Sequence, residues 1–352
     1  MQPQPLAQPV LTPLTEAAIF LVFTVRDGAE DDVRDVLADL SGLSRSVGFR
    51  DPAGGLTCVA GIGSDLWDRM VGGPRPAHLH PFTSIEGVRH SAPSTPGDLL
   101  FHLRSRRMDL CFELGAQIGK RLDGFADLVD ETQGFKYFDE RDLLGFVDGT
   151  ENPSGDTAGR AATIGDDDPA FAGGSYVIIQ KYLHDMGAWN ALSVEEQERV
   201  IGRTKLDDIE LPDDAKPADS HVALTTIVEA DGTQRQIVRD NMPFGTAATG
   251  EFGTYFIGYA ADPGITETML RNMFIGNPPG TIDRILDFST ATSGCLFFVP
   301  SAEALEDLPA PASEPGAPAE REPCAPAEGG PAPWLGSDGS LNIGSLRERA
   351  GL

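Results

Sequence analysis

The sequence predicts an α+β fold, built as a duplicated sandwich of antiparallel sheets covered by helices, and three observations carry that expectation. Apolar runs of strand length alternate with segments whose apolar residues recur at helical spacing. The order strand, helix, strand appears in the first half of the chain and returns in the second. With 352 residues, 40% hydrophobic and 23% charged, the chain has the composition of a globular protein large enough for a substantial core.

The elements follow in order. Residues 1–16, MQPQPLAQPVLTPLTE, are rich in proline and glutamine and read as a surface segment. From Ala17, AIFLVFTV reads as a buried strand, and Val33, Val36, Leu37 and Leu40 fall on one helical face. Strand LTCVAGIGS (56–64), helix DLWDRM, strand DLLFHLRS (98–105) and a helix through 108–122 complete a first half, 17–140. The second half, 141–300, repeats the theme. Strand SYVIIQKYL (175–183) precedes a helix whose opening SVEE (193–196) has the form of a capping box. Strand TYFIGYA (254–260), helix ITETMLRNMF (265–274), helix TIDRILDFS (281–289) and strand CLFFVP (295–300) close the body. Residues 301–335 are Pro, Ala and Glu with little to bury, a semi-rigid linker. Apolar residues return in 336–352, where a fraying terminus would not need them.

Charge narrows the function. The formal net charge is −27, and only nine acids and three arginines lie beyond residue 300, so the acidity belongs to the body. Such a body repels phosphate backbones, and no nucleic-acid partner is expected. The longest early apolar run is too short for a bilayer, and no Lys or Arg precedes Arg26, so neither a membrane span nor an export signal is read and the cytoplasm is expected. Cys58, Cys111, Cys295 and Cys324 lack ligand-like spacing and read as free thiols. His78 and His80 flank Leu79 beside Pro81, which reads as a loop rather than a metal site.

Two stretches carry chemistry. In GFVDGTENP (145–153), Asp148 ends an apolar run and begins a turn. Asp148, Glu151, Asn152 and Asp156 admit a weak cation loop as another reading. In SHVALTTIVEADGTQRQIVRDNMPFG (220–245), two apolar strands around Asp231-Gly232 predict a hairpin that brings His221 opposite Asn241 and Met242. Arg239 and Asn241, two apart, share a face, and Asp240 points away.

At these residues the sequence resembles the haem-containing dye-decolourising peroxidases, most closely their compact bacterial class B branch. The resemblance rests on GFVDGTENP, on His221 followed by RDNMPFG (239–245) and on IGRTK (201–205), and covers about residues 15–300. It implies two ferredoxin-like halves, with haem b held mainly by the second. His221 matches the proximal iron ligand, and Asp283 or Asp287, with Asp283 preferred, would support its other ring nitrogen. Asp148 is the distal acid that would shuttle a proton on hydrogen peroxide, Arg239 would stabilise developing charge, and Asn241 would hold Asp148 or a water. Arg203 would pair with a haem propionate. Electrons would come from dyes, phenols or other donors; Trp189, Tyr137 and Tyr182 are candidate relays, although packing explains each more simply. A haem storage or iron-release protein is the alternative. The family also implies a homo-oligomer, dimer to hexamer. The terminal DGSLNIGSL resembles the peptides that load cargo into encapsulin shells, with Leu341, Ile343 and Leu346 as apolar anchors.

Overall fold

Ten strands join in one antiparallel sheet in the computed structural model, which describes residues 5–311. The first half supplies Ala17–Val25, Thr57–Gly63, Leu99–Ser105 and Ala126–Phe135. In the sheet, Ala17–Val25 lies between Leu99–Ser105 and Ala126–Phe135, and Thr57–Gly63 sits outside Leu99–Ser105. The second half repeats that order. Ser175–His184 lies between Glu251–Ala260 and Cys295–Val299, with Val238–Arg239 and Met242–Thr246 outside Glu251–Ala260. Each half is thus ferredoxin-like, and they join where Phe297 pairs with Gly63 and Phe298 with Ile62.

The alternation of side chains explains why the central strands are apolar on both faces. Ile19, Leu21 and Phe23 face a helix-covered core, whereas Ala18, Phe20 and Val22 face an inner core shared by both halves. That inner core contains Val177, Ile179, Tyr255 and Phe297 from the second half. The sheet curls so that Gly134, near one end, lies against Met242, near the other; a Cβ at Gly134 would fall 2.5 Å from the Met242 Cβ.

The two halves differ in what covers their outer faces. In the first, helix Met108–Leu122 lays Leu110, Leu114 and Ile118 directly on the sheet. In the second, helix Pro263–Phe274 shares its packing with a large cavity. Thr266, Met269, Leu270 and Met273 line one side of it, and Tyr182, His184, Thr254 and Phe256 of the sheet line another.

Three expectations change. The N-terminal segment is not a surface strand of chain: Val10 is buried, and the Gln8 amide donates to Ala60 O and Pro300 O while accepting from Ala60 N–H. TIDRILDFS forms only a 3₁₀ turn, Arg284–Asp287, because the Asp283 carboxylate accepts from Ile285 N–H and tightens the chain there. The first residues assigned to the linker belong to the body: Ala302–Glu306 is a short helix, with Leu305 and Leu308 buried. The capping box at Ser193 and Glu196 is present as read.

Gly134 gives a test of the closed inner face. Gly134→Val should lower stability by about 1–3 kcal/mol through overpacking against Met242. Gly119→Ala, in a helix with open space around it, should be neutral or slightly stabilising. Thermal unfolding of both variants measures the contrast.

Candidate active site

His221 does not lie on a strand. It opens the short helix His221–Thr225, and the hairpin around Asp231-Gly232 is limited to Ile227–Val228 with Gln234–Arg235. Local hydrogen bonding explains the departure. Thr225 Oγ1 donates to His221 O and Thr226 Oγ1 to Val222 O, both at 2.8 Å, each tying the threonine to the carbonyl four residues back. Gly202 supports the same turn. It ends helix Val194–Ile201 at φ 96°, and a Cβ there would stand 3.0 Å from Ser220 Oγ and 3.2 Å from Val222 Cβ. The glycine of IGRTK therefore lets the histidine-bearing helix approach closely.

The His221 Nδ1 stands 2.8 Å from Asp283 Oδ2, and Asp283 is fully buried. The carboxylate fixes Nδ1 as the protonated nitrogen, which leaves Nε2 with its lone pair on a ring that lines the cavity. Asp287 is elsewhere, beside Arg89 and His90.

Asp148, Arg239 and Asn241 meet at another wall of the cavity, not across a hairpin from His221. Asn241 Oδ1 accepts from Ile257 N–H at 3.1 Å, which turns the amide Nδ2 toward Asp148 Oδ2 at 3.0 Å and Oδ1 at 3.2 Å. The backbone donor thus removes the ambiguity of the amide orientation. No hydrogen bond or ion pair engages the Arg239 guanidinium among the described residues. Asp148, Gly149, Arg239 and Asn241 also border a second cavity, whose outer rim includes Pro13, Lys136 and Arg141. These residues therefore border both cavities.

Arg203 lines the main cavity but is already engaged. It donates to Asp208 Oδ1 and Asp208 O, both at 2.7 Å, and to Glu151 Oε1 at 3.0 Å, which leaves two of its five N–H groups. The aromatic candidates pack. Trp189 is buried and donates to Leu144 O, Tyr182 donates to Gln180 Oε1, and Tyr137 lies half-buried beside Phe135 and Phe138. Leu341, Ile343 and Leu346 lie outside the described residues. The cation-loop reading fails: no cluster of three potential metal-ligating side chains occurs among the described residues, and Asn152 instead bonds the Arg239 backbone.

Two lining residues went unread in the sequence. Asp142 accepts from Phe146 N–H, and burial, with Asp148 nearby, pushes its carboxyl up to about 7. His184 is held between Ser289 Oγ and Thr254 Oγ1, and burial lowers its imidazole to about 4, so it is neutral. Nothing in their local sequence marks either; only the fold brings them to the cavity.

Two family models match the chain: Dyp-type peroxidase, N-terminal, over residues 7–136, and Dyp-type peroxidase, C-terminal, over residues 139–304. The chain belongs to the Dyp-type peroxidase family. Its enzyme class is accordingly that of a peroxidase. It is similar to a dye-decolorizing peroxidase of Rhodococcus erythropolis, at 63% identity over 97% of each chain. Among solved structures it is similar to the encapsulated DyP-type peroxidase of Mycobacterium smegmatis, with 63% identity and a TM-score of 0.85 over 87% of this chain and 99% of that one. A DypB variant of Rhodococcus jostii, solved in complex with heme, is 60% identical, with a TM-score of 0.84 over 86% of this chain and 98% of that one.

In this Dyp-type peroxidase, Asp142 has a measurable signature. Its folded pKa of about 7 lies above the ordinary carboxylate value, so between roughly pH 4 and 7 the folded chain holds a proton that the unfolded chain has lost. Its contribution to stability therefore falls as pH rises through that window. Asp142→Asn keeps an acceptor for Phe146 N–H and cannot ionise. Its melting temperature relative to the parent should rise between pH 5 and pH 8, and an unchanged difference would remove the assignment.

Proposed function

We propose that the chain binds haem b through His221 Nε2 and reduces hydrogen peroxide on the face lined by Asp148, Arg239 and Asn241. Dyes, phenols or other one-electron donors would return the electrons. One observation supports this above the others: a buried aspartate holds one ring nitrogen of His221 and leaves the other free in the same cavity that an uncommitted guanidinium and a carboxylate also line.

The residues present fit haem. The cavity has about 1380 Å³ of empty space, counting its opening to solvent. Ile201, Val222, Phe256, Met269, Leu270 and Met273 offer apolar surface to a macrocycle, and Arg203 keeps two N–H groups for a propionate.

Bound haem would supply the redox chemistry of peroxide reduction. His221 would hold the iron, with Asp283 fixing its tautomer and making the imidazole a stronger donor. Asp148 accepts a proton from one peroxide oxygen and returns it to the other, so that water can leave. Asn241 holds the carboxylate in place for that transfer. Arg239 stabilises negative charge as it develops on the peroxide, without first having to break an ion pair. The haem-storage alternative needs only His221 and gives Asp148, Arg239 and Asn241 no task.

The same reading includes packaging in an encapsulin shell through 336–352, supported by the DGSLNIGSL resemblance and by the encapsulated Mycobacterium smegmatis neighbour. A homo-oligomer belongs to it as well, supported by the exposed Phe112, Leu128 and Phe135.

Rapid mixing of haem-loaded protein with peroxide tests the chemistry through the Soret band. A fast change is expected, slowed about 10²-fold or more in Arg239→Ala, with His221→Ala failing to retain haem. An inert Soret band in the parent protein would favour the storage reading. Co-expression with a shell protein tests the address: the full chain should purify inside the shell, and a chain ending at Pro333 should not.

A further inference from the structure

The geometry points to Asn152 as the positioning residue for Arg239. The inference rests on the role proposed for Arg239, and it concerns how that side chain is aimed.

Arg239 occupies a strand of two residues, Val238–Arg239, paired on one side only, with Val238 opposite Tyr259 and Arg239 opposite Gly258. Its other edge would present an open N–H and C=O. The Asn152 side chain closes that edge. Its Nδ2 donates to Arg239 O at 2.7 Å, and its Oδ1 accepts from Arg239 N–H at 3.0 Å. A carboxamide carries the same donor and acceptor as a peptide unit, so Asn152 acts as a strand one residue long. The amide orientation is fixed, because only this one satisfies both bonds.

The clamp comes from the loop that carries Asp148, four residues earlier, and Asn152 N–H itself donates to Gly149 O at 2.9 Å. Asn241, two residues beyond Arg239, returns the connection to Asp148. The contacts form a closed circuit: Asp148 leads along the loop to Asn152, across to Arg239, along the chain to Asn241 and back to Asp148. Asn241 sets where the carboxylate sits. Asn152 sets where the arginine backbone sits relative to that carboxylate. Because no partner engages the Arg239 guanidinium among the described residues, its aim depends on how firmly its backbone is held.

The experiment uses the full chain and two readouts. In haem-free protein, hydrogen exchange at the Arg239 amide should quicken about ten-fold in Asn152→Ala, the loss of one net hydrogen bond. In haem-loaded protein, fluoride serves as the anionic probe. Asn152→Ala should weaken fluoride affinity five- to ten-fold, and it should have no further effect in an Arg239→Ala background, since a residue acting through Arg239 has nothing left to position. Asn152→Asp keeps the bond from Arg239 N–H but sets a carboxylate oxygen against Arg239 O. It should retain slow exchange and lose less fluoride affinity, and it carries the test if the alanine variant does not fold. Equal losses in both backgrounds, unchanged affinity in the parent background, or unchanged exchange would each overturn the assignment. If Arg239→Ala alone leaves fluoride binding intact, the charge-stabilising role of Arg239 fails instead, and the exchange measurement decides the clamp by itself.

Discussion

Everything at the open wall of the cavity depends on the alternation of side chains through Arg239–Asp240–Asn241, where strand Val238–Arg239 runs on toward strand Met242–Thr246. The period sends Arg239 and Asn241 toward the cavity and Asp240 into the inner core, where Arg104 meets it. Both partners of that ion pair are almost completely buried, and burial raises the Asp240 carboxyl despite the guanidinium beside it. Removing one member of such a pair typically costs about 3–5 kcal/mol, because the other is left charged and unpaired. The tripeptide is therefore pinned by its middle residue, and a shift by one position would exchange the core anchor for the two cavity-lining side chains. Arg104 also donates to Thr12 O and Pro9 O, so the N-terminal segment is tied to the same anchor.

The duplication explains where the chemistry is and where it is not. Both halves have the same strand order, but helix Met108–Leu122 seals the first with leucine and isoleucine, while helix Pro263–Phe274 leaves a space bounded by methionine, threonine and leucine. A large cavity with apolar walls forgoes packing contacts that a filled core would make. A ligand that binds only the folded chain recovers stability by mass action, about 4.1 kcal/mol at a thousand times its Kd. The hollow half is thus less well packed by itself and the one able to gain from a cofactor. The Asp283 carboxylate contributes to both purposes, since one oxygen tightens the turn through Ile285 N–H and the other holds His221.

Strands were the most legible part of the sequence, because AIFLVFTV and SYVIIQKYL are buried on both faces and nothing competes with their pattern. The turn at 220–226 was not legible as a helix. Its apolar residues Val222 and Leu224 alternate as in a strand, and what decides the matter is threonine hydroxyls bonding back to carbonyls, which periodicity does not register. The same blindness applied to Asp283, whose side chain shortens a helix read from spacing alone. The N-terminal segment misled through composition: proline and glutamine suggested solvent, yet Gln8 uses its amide to bridge Ala60 and Pro300. At the site, the residues could be named from the motifs, and their placement could not. His221 and Asn241 were expected to face each other across a hairpin, and instead they reach the cavity on separate elements. Asn152 stood inside the most informative motif, but its partner is 87 residues away.

The acidity of the chain gives the arrangement its last constraint. With 54 acids against 27 bases, a cation is expected to find a carboxylate, and Arg203, next to the cavity, finds Glu151 and Asp208. Arg239 does not, although Asp148 lines the same wall. Asn241 meets Asp148 instead: its amide nitrogen reaches both carboxylate oxygens, and its own orientation is dictated by Ile257 N–H, so the carboxylate is held by a neutral donor. A neutral partner holds the acid without neutralising it, and it leaves the guanidinium available. On the proposed reading, hydrogen peroxide enters uncharged and negative charge would appear only as the O–O bond breaks, when the free guanidinium would give the transition state an attraction that the neutral reactant largely lacks.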